Sequence, residues 1–216
     1  LFEQNSKIPE QKSKHTAILG IVVRISPLLI ILFALILTKS MGTWLSLIAS
    51  LIFLFLSSYK TIRHKKIILI ASLTAIFLIL SFIILTRWER IINLEDPQNS
   101  ITQRLNYWRT AIAVIKDHPI SGVGPGNFQD VFLKYKVGLS TDTRYAHNIL
   151  LHTWAETGIL GAISLVYLVI AFLNKARSKS RYILLAGTVF LIHNLIDNTY
   201  FIPEVGFLWW TLLALP

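Results

Sequence analysis

The chain contains no cysteine among its 216 residues. This absence excludes disulfide bonds, catalysis by a thiolate and metal sites built from thiolates. Other metal motifs are missing as well. No His-Glu-x-x-His sequence occurs, and the polar middle of the chain has no Asp-x-Asp pair of the kind that holds a nucleotide-sugar metal. We therefore expect a site that uses no metal and no cofactor.

Charged residues are scarce too, at 15% of the chain, whereas hydrophobic residues make up 54%. A soluble domain of this length needs far less apolar material for one core. A membrane helix needs about 20 apolar residues. Six candidate spans satisfy or approach this length: 18–38, 42–58, 67–86, 148–173, 182–198 and 205–216. The sequence predicts an all-α, polytopic integral membrane protein with about six transmembrane helices.

The candidate spans divide the chain into three regions. Residues 1–86 hold three spans, residues 87–147 form the one long polar segment, and residues 148–216 hold the remaining spans. We expect the polar segment to be an external loop that carries the catalytic site. The chain begins at Leu1 rather than Met and stops at Pro216 inside an apolar run, so we expect it to be a fragment of a longer protein.

Two short helices are expected inside the long loop. Ser100 or Thr102 can cap the start of the first helix, and Pro119 ends it. Apolar residues at alternating steps of four and three predict one buried stripe on this helix. The stripe consists of Ile101, Leu105, Trp108, Ile112 and Ile115. A second, weaker helical stretch follows at about 127–137.

The basic residues indicate which side of the membrane the loop faces. If the N-terminal region and the loops 57–66 and 174–181 share one side, that side carries twelve Lys and Arg against two acidic residues. The other side then carries nine of each, so the net charge of +10 lies on one face. The positive-inside rule makes that face cytoplasmic. The basic loops are therefore topology signals, no nucleic-acid partner is expected, and the long loop faces the periplasm or cell exterior.

A turn rich in glycine and proline, with the sequence PISGVGPGNF, runs from Pro119 to Phe128. It lacks the Gly-Lys-Ser/Thr of a nucleotide P-loop and follows no strand, so a dinucleotide or ATP site is not expected. Two interpretations remain. The turn can be a tight re-entry of the loop onto the membrane surface, or a nest of backbone N–H groups for an anion.

Two arginines on the first loop helix are candidates for binding phosphate. Arg104 and Arg109 are five positions apart and point about 140° away from each other. Arg104 lies beside the apolar stripe, whereas Arg109 is better placed for solvent. A guanidinium at such an edge can hold a phosphate by two parallel hydrogen bonds, or it can be an ordinary surface arginine.

His147 stands where the long loop enters the fourth span, directly before Asn148, which can cap that helix. An imidazole can accept a proton near neutral pH. A lone histidine at a membrane interface can equally be a hydrogen-bonding residue without catalytic function. The sequence leaves both interpretations open.

Two further pairs of a histidine and a carboxylate lie one helical turn apart. His152 pairs with Glu156 in the fourth span, and His193 pairs with Asp197 near the outer end of the fifth span. Ionisable residues in membrane segments are costly and indicate function. We expect these polar groups from two separate spans to collect near the outer face.

Five sequence blocks, in this order, resemble the O-antigen ligase-related family. They are Thr38-Lys-Ser-Met-Gly42, Arg104-Leu-Asn-Tyr-Trp108, His118-Pro-Ile-Ser-Gly-Val-Gly-Pro-Gly-Asn-Phe128, Ala146-His-Asn-Ile-Leu-Leu-His-Thr-Trp-Ala-Glu-Thr-Gly158 with Ile-Leu-Gly161, and His193-Asn-Leu-Ile-Asp197. The block that begins with His-Asn is the most specific of them. The resemblance covers about residues 38–210 and implies an all-helical membrane protein of which this chain is the C-terminal half.

The resemblance implies transfer of a glycan from an undecaprenyl diphosphate carrier to a hydroxyl acceptor, on the outer face of a bacterial cytoplasmic membrane. The acceptor would be lipid A core, another polysaccharide or a protein. His147 matches a general base, and Arg104 matches an arginine that binds the carrier diphosphate, helped by Arg144 or Lys39. The chain departs from the family at Met41, where arginine is common. We expect displacement at the anomeric carbon with inversion.

Two other functions stay open. A polymerase would use the same site with another carrier-linked glycan as acceptor, and these residues do not separate it from a ligase. A transporter or flippase scaffold should show broken helices and charges near the bilayer midplane. The polar residues of this chain gather instead at the outer ends of the spans.

Overall fold

In the computed structural model of the protein, the residues described are 40–58 and 65–214, together with positions 23, 25–27, 29–31 and 33–37. The chain divides into two compact units, Leu1–Met41 and Gly42–Pro216. All described positions of the first unit except Ser40 are helical. No strand occurs among the described residues of either unit, which confirms the predicted all-α fold for them.

Seven α-helices follow one another from residue 41 onwards. They are α1 (Met41–Ser58), α2 (Lys65–Ile92), α3 (Ser100–Asp117), α4 (Phe128–Tyr135), α5 (Ile149–Lys179), α6 (Arg181–Asn194) and α7 (Pro203–Ala214), with a short 3-10 helix, Thr199–Phe201, before α7. Nine of the 21 positions of the predicted span 18–38 lie outside the described residues, and the other twelve are helical. Helix α2 continues six residues past its predicted end at 86, and both predicted loop helices are present as α3 and α4.

Large apolar side chains are exposed on several helices, which gives the chain membrane character. Leu85 on α2, Tyr167 on α5 and Phe207 on α7 are 83%, 72% and 71% exposed. Extended apolar surface of this kind is rare on soluble monomers. By length and composition, α5 alone among the described helices is suited to cross a bilayer. The arrangement of six spans stays a prediction.

The buried face of α3 differs from the predicted stripe. Leu105 and Ile112 are 40% and 42% exposed, and of the predicted stripe only Ile115 is buried in the core. The helix mainly buries Tyr107, Ala111 and Val114 against α4 and the start of α5. Helix α3 carries apolar residues on two faces, and periodicity alone selected the more exposed one. The fully buried, small Ala111 allows the other face to pack closely.

The N-terminus of α3 is capped by a residue that the sequence analysis did not select. Asn99 accepts the N–H of Ile101 through its side-chain oxygen at 2.9 Å and donates to the carbonyl of Asn93 at 2.7 Å. Asn99 is therefore the cap, in place of the predicted Ser100 or Thr102. Its side chain also holds the preceding turn.

Helix α5 is interrupted at Gly158, whose backbone is not helical (φ 71°, ψ −170°). Thr153 and Gly161 are eight residues apart, or about 12 Å along a straight helix. A Cβ atom on Gly161 would nevertheless lie 3.7 Å from Cγ2 of Thr153. Residues 149–157 therefore fold back along the residues that follow the break. The sequence predicted one span over 148–173 and gave no indication of this reversal.

The part of α5 after the break, residues 159–179, has the length of a membrane span. At a rise of 1.5 Å per residue it extends about 32 Å, which matches a hydrocarbon core of about 30 Å. The reversal returns the start of α5 to the end of α6, where Nδ2 of Asn148 donates to the carbonyl of Leu195 at 2.9 Å. Asn148 also caps α5 as predicted, because its oxygen accepts the N–H of Leu151.

The glycine-rich turn packs on the break in α5. A break leaves N–H and C=O groups without their helical partners, and the turn supplies new ones. The bonds run from the N–H of Val123 to the carbonyl of Ala155 (2.9 Å), from Gly124 to Glu156 (2.8 Å) and from Ile159 to Pro119 (3.0 Å). The N–H groups of Val123 and Gly124 are therefore occupied. The turn serves packing against the protein and not an anion nest at these two positions.

Candidate functional site

The candidate site is centred on the Asp197 carboxylate, in the loop after α6. Its Oδ2 lies 2.9 Å from Nη2 of Arg104 and 3.9 Å from Nε2 of His193. Its Oδ1 lies 3.4 Å from Nδ1 of His147 and accepts the N–H of Asn198 at 2.8 Å. One carboxylate thus faces the imidazole of His193, four residues before it, and a guanidinium and a second imidazole that come from distant parts of the sequence.

Arg104 attaches α3 to this loop by two neighbouring hydrogen bonds. Its Nε donates to the carbonyl of Ile196 at 2.7 Å, and its Nη2 donates to Asp197. Its Nη1 donates to the carbonyl of Ser100 at 3.3 Å. Two of the five guanidinium N–H groups have no hydrogen-bond partner among the described residues and can bind an incoming anion. Arg109 is exposed, as its position on α3 predicted, and donates to Asn106 at 3.4 Å.

The surroundings of Asp197 favour the anionic form of its carboxylate. Burial of its carboxylate alone would raise its pKa. The imidazole of His147, the N–H of Asn198 and the charge of Arg104 act in the opposite direction and together hold this pKa well below its usual range. The carboxylate is therefore available to stabilise positive charge on either neighbouring imidazole.

His147 is held in an unusual backbone conformation. Its φ of 51° is left-handed, and it is the one non-glycine residue with positive φ in the described part of the chain. Its ring stacks on Tyr107 with centroids 5.2 Å apart, and its carbonyl accepts Nε1–H of Trp108 at 3.2 Å. Strain at a single polar residue that the surroundings fix is typical of functional sites.

The two nitrogens of His147 have different surroundings. Nδ1 faces Asp197 at 3.4 Å, which is long for a hydrogen bond, and has no hydrogen-bond partner among the described residues. Nε2 has no hydrogen-bond partner among the described residues, and the side chain is 21% exposed. A carboxylate on one side and an open nitrogen on the other is the arrangement of a histidine that accepts a proton and is stabilised as it does so.

His193 lies deeper behind the same carboxylate. Its Nδ1 is buried and has no hydrogen-bond partner in the described part of the chain. Gly42, near the start of α1, lies beside it, because a Cβ there would be 3.7 Å from this nitrogen. Gly42, the last residue of the first sequence block, therefore lies against His193, the first residue of the last block.

The other predicted site residues lie elsewhere. Arg144 is exposed, and its Nε donates to Gln129 at 3.0 Å, so it makes no contact with the cluster. Glu156 contacts His152 at 3.4 Å, as predicted, but accepts the N–H of Phe128 at the start of α4 rather than facing Asp197. Lys39 lies outside the described residues.

Tyr107 and Trp108 support His147, and the sequence analysis gave them no function. They follow Arg104 by three and four positions, which places all three side chains on one side of α3. In the sequence, this spacing from Arg104 was the signal that could have identified Tyr107 and Trp108. It was not sufficient, because no local sequence pattern shows that His147 packs against this side of α3.

Comparison with known proteins agrees with the geometry. A family model described as O-antigen ligase matches residues 27–166. The chain is 29% identical over 168 residues to a protein named O-antigen ligase from Salmonella typhimurium (strain LT2), covering 70% of this chain and 39% of that relative. The chain thus spans well under half of the relative's length. No solved structure matches at a significant level. Because the family model covers more than half of the sequence, the chain belongs to the O-antigen ligase family.

Proposed function

We propose that this chain is the catalytic half of a membrane glycosyltransferase. The enzyme transfers a glycan from an undecaprenyl diphosphate carrier to a hydroxyl acceptor, on the outer face of the bacterial cytoplasmic membrane, in lipopolysaccharide or surface polysaccharide synthesis. The observation that carries this proposal is the position of Asp197 between the guanidinium of Arg104 and the imidazole of His147. Such a transfer needs two groups close together: one that binds the departing diphosphate and one that accepts the proton of the attacking hydroxyl.

In the proposed reaction, His147 is the general base. The acceptor oxygen attacks the anomeric carbon while its proton passes to Nε2 of His147, and the bond from that carbon to the diphosphate oxygen breaks with its electron pair. Asp197 stabilises the resulting imidazolium. The carrier diphosphate leaves, the configuration inverts, and the proton is later returned to water. Diphosphate is a good leaving group and needs no strong general acid.

Arg104 receives the negative charge that develops on the diphosphate. The free N–H groups of its guanidinium can bind a phosphate oxygen while the bonds to Ile196 and Asp197 hold the group in place. Lys39 and Arg144 remain proposed helpers, and Arg144 would have to leave Gln129 to act. The reaction is proposed to be independent of metals, so transfer should persist in excess chelator.

The ligase is favoured over the polymerase by the name of the Salmonella relative, while both would use the same site. A lipid A core, a polysaccharide end or a protein hydroxyl remains the proposed acceptor. The break in α5 is a feature expected of a transporter scaffold. Here, however, the glycine-rich turn bonds the backbone groups that the break exposes, so they are not left to hold a cargo.

The test replaces His147 by asparagine in the full-length protein. Asparagine tolerates a left-handed backbone better than alanine does, so the variant should fold while lacking the base. Transfer at saturating acceptor should fall by about 10² to 10⁴. The matched control is His118→Asn, since His118 contacts Tyr135 and not the cluster. A His147→Asn enzyme with more than half of wild-type transfer would refute the general base.

A further inference from the structure

His152 is a buried polar residue that the proposed reaction does not use. It is 2% exposed and packs edge-on against the rings of Phe128, Tyr145 and Phe201 at 5.2, 5.5 and 4.6 Å. An apolar residue would fit an aromatic surrounding of this kind at less cost than an imidazole. Both ring nitrogens must therefore find polar partners if the residue is to be tolerated there.

Both nitrogens do contact polar groups. Nδ1 accepts the backbone N–H of Ala146 at 3.4 Å, and Nε2 lies 3.4 Å from Oε1 of Glu156. Because Nδ1 accepts, the ring proton belongs on Nε2, where it points at the carboxylate. The partners thus define one neutral tautomer.

Glu156 extends this connection to the next helix. The same Oε1 accepts the N–H of Phe128, the first residue of α4, at 3.2 Å. The carbonyl of Glu156 accepts the N–H of Gly124 in the glycine-rich turn. Through His152, the backbone at Ala146 is therefore attached to both the start of α4 and the turn that packs on the α5 break.

We infer that His152 is a positioning residue for His147, acting through the backbone of Ala146, the residue before it. Ala146 leads directly into the left-handed φ of 51° at His147, which a residue with a Cβ adopts only when neighbours hold it. Trp108 holds the carbonyl of His147, and His152 holds the N–H of the preceding residue, Ala146. The direction of the imidazole toward Asp197 depends on both. This inference rests on the proposed function for its effect on catalysis.

The experiment compares three substitutions of His152 in the full-length enzyme. His152→Gln keeps an acceptor and a donor at similar reach. His152→Asn is polar but one methylene shorter and cannot reach Ala146 and Glu156 together, and His152→Met fills the space without polar contacts. Two quantities are measured per folded enzyme: transfer kinetics, and the rate at which diethyl pyrocarbonate modifies His147, followed by peptide mass spectrometry.

The inference predicts that His152→Gln stays close to wild type in both quantities. His152→Met and His152→Asn should lose about 10- to 100-fold in kcat with an unchanged KM for the donor, and His147 should react severalfold faster. A purely structural role would lower the melting temperature and the yield while leaving kcat per folded enzyme unchanged. That result, or a Gln variant as impaired as the Asn variant, would overturn the inference. The Gln and Asn pair decides the question even if the Met variant does not fold.

Failure of the general base is distinguishable from failure of the positioning. If His147 reactivity follows the order expected for the three variants but His147→Asn transfers glycan normally, the positioning stands and the proposed function of His147 falls. If His147→Asn is inactive but His147 reactivity is the same in all His152 variants, the general base stands and the positioning role of His152 falls.

Discussion

Nη2 of Arg104 lies 2.9 Å from Oδ2 of Asp197, although 93 residues separate the two in the sequence. The neighbouring bond from Nε to the carbonyl of Ile196 makes the contact a two-point attachment. It joins the loop helix α3 to the loop after α6 and so assembles the site from two distant regions. Arg104 consequently has a structural part and a proposed phosphate-binding part, which substitutions can separate.

We predict that Arg104→Lys is impaired as well as Arg104→Ala. An ammonium on a flexible stem cannot donate to the Ile196 carbonyl and to Asp197 in the geometry of a planar guanidinium. Loss of hydrogen bonds to charged groups should reduce kcat/KM for the donor by about 10- to 100-fold. Arg109→Ala is the matched control on the same helix, because Arg109 is exposed and its hydrogen bond goes to Asn106 and not to the cluster. An Arg104→Ala enzyme as active as the Arg109→Ala enzyme would remove Arg104 from the site.

Acid should weaken the protein partly through Asp197. Its pKa is lowered in the folded state, so its contribution to stability is complete above the unfolded value of about 3.9 and is lost as the pH falls through the folded value. We predict that Asp197→Asn lowers the melting temperature in detergent at pH 7. The difference from wild type should shrink as the pH falls toward 3.

The control for this experiment is Asp130→Asn, since Asp130 is exposed and forms no ion pair among the described residues. Its melting temperature should follow wild type at every pH. A constant difference between Asp197→Asn and wild type from pH 7 to 3 would contradict the charge-based explanation. Transfer by Asp197→Asn should also fall, because the imidazolium of His147 would lose its counter-charge.

The sequence predicted the helices well. It also predicted that the pair His152 and Glu156 would collect with the pair His193 and Asp197, but Glu156 contacts His152 and Phe128 instead. The residue that joins His193 and Asp197 in one cluster is His147. The hydropathy pattern could not reveal the reversal at Gly158, because residues on both sides of the break are apolar and helical. The contact between Arg104 and Asp197 was equally hidden, since no local pattern encodes which loops meet. Both features depend on tertiary packing.

The face of α3 shows a second limit of periodicity. Steps of four and three fitted Ile101, Leu105 and Ile112, yet the structure exposes Leu105 and Ile112 and buries Tyr107 and Ala111. In a membrane protein an apolar stripe can face lipid as well as a core, so the pattern does not determine which face packs. The polar residue Thr110 marks the packed face, because its hydroxyl accepts the N–H of Val137 at 3.0 Å.

Topology can be tested directly because the chain has no cysteine. We predict that single cysteines at Asp130 and Asp142 react with a membrane-impermeant maleimide in intact spheroplasts, and that cysteines at Lys175 and Lys179 do not. The charge distribution predicts that the basic end of α5, where it meets α6, lies inside the cell. Permeabilised spheroplasts should label all four positions, which controls for access. The opposite pattern would place the cluster on the cytoplasmic side and contradict the proposed donor.

The reversal of α5 should depend on the absence of a side chain at Gly158. Its φ is 71°, and a Cβ there would lie 1.8 Å from the carbonyl oxygen of Ile120, which is backbone and cannot move aside cheaply. Gly126 is a matched control, with a φ of 80° and no atom within 4 Å of a Cβ. A left-handed backbone destabilises each alanine variant by about 1–2 kcal/mol, and only Gly158→Ala must also displace the glycine-rich turn.

We predict that Gly126→Ala lowers the melting temperature by a few degrees and keeps transfer per folded enzyme. Gly158→Ala should lose most folded protein, and any folded fraction should be inactive, because Asn148 and His147 no longer reach the loop after α6. Equal behaviour of the two variants would show that the turn does not hold the reversal in place.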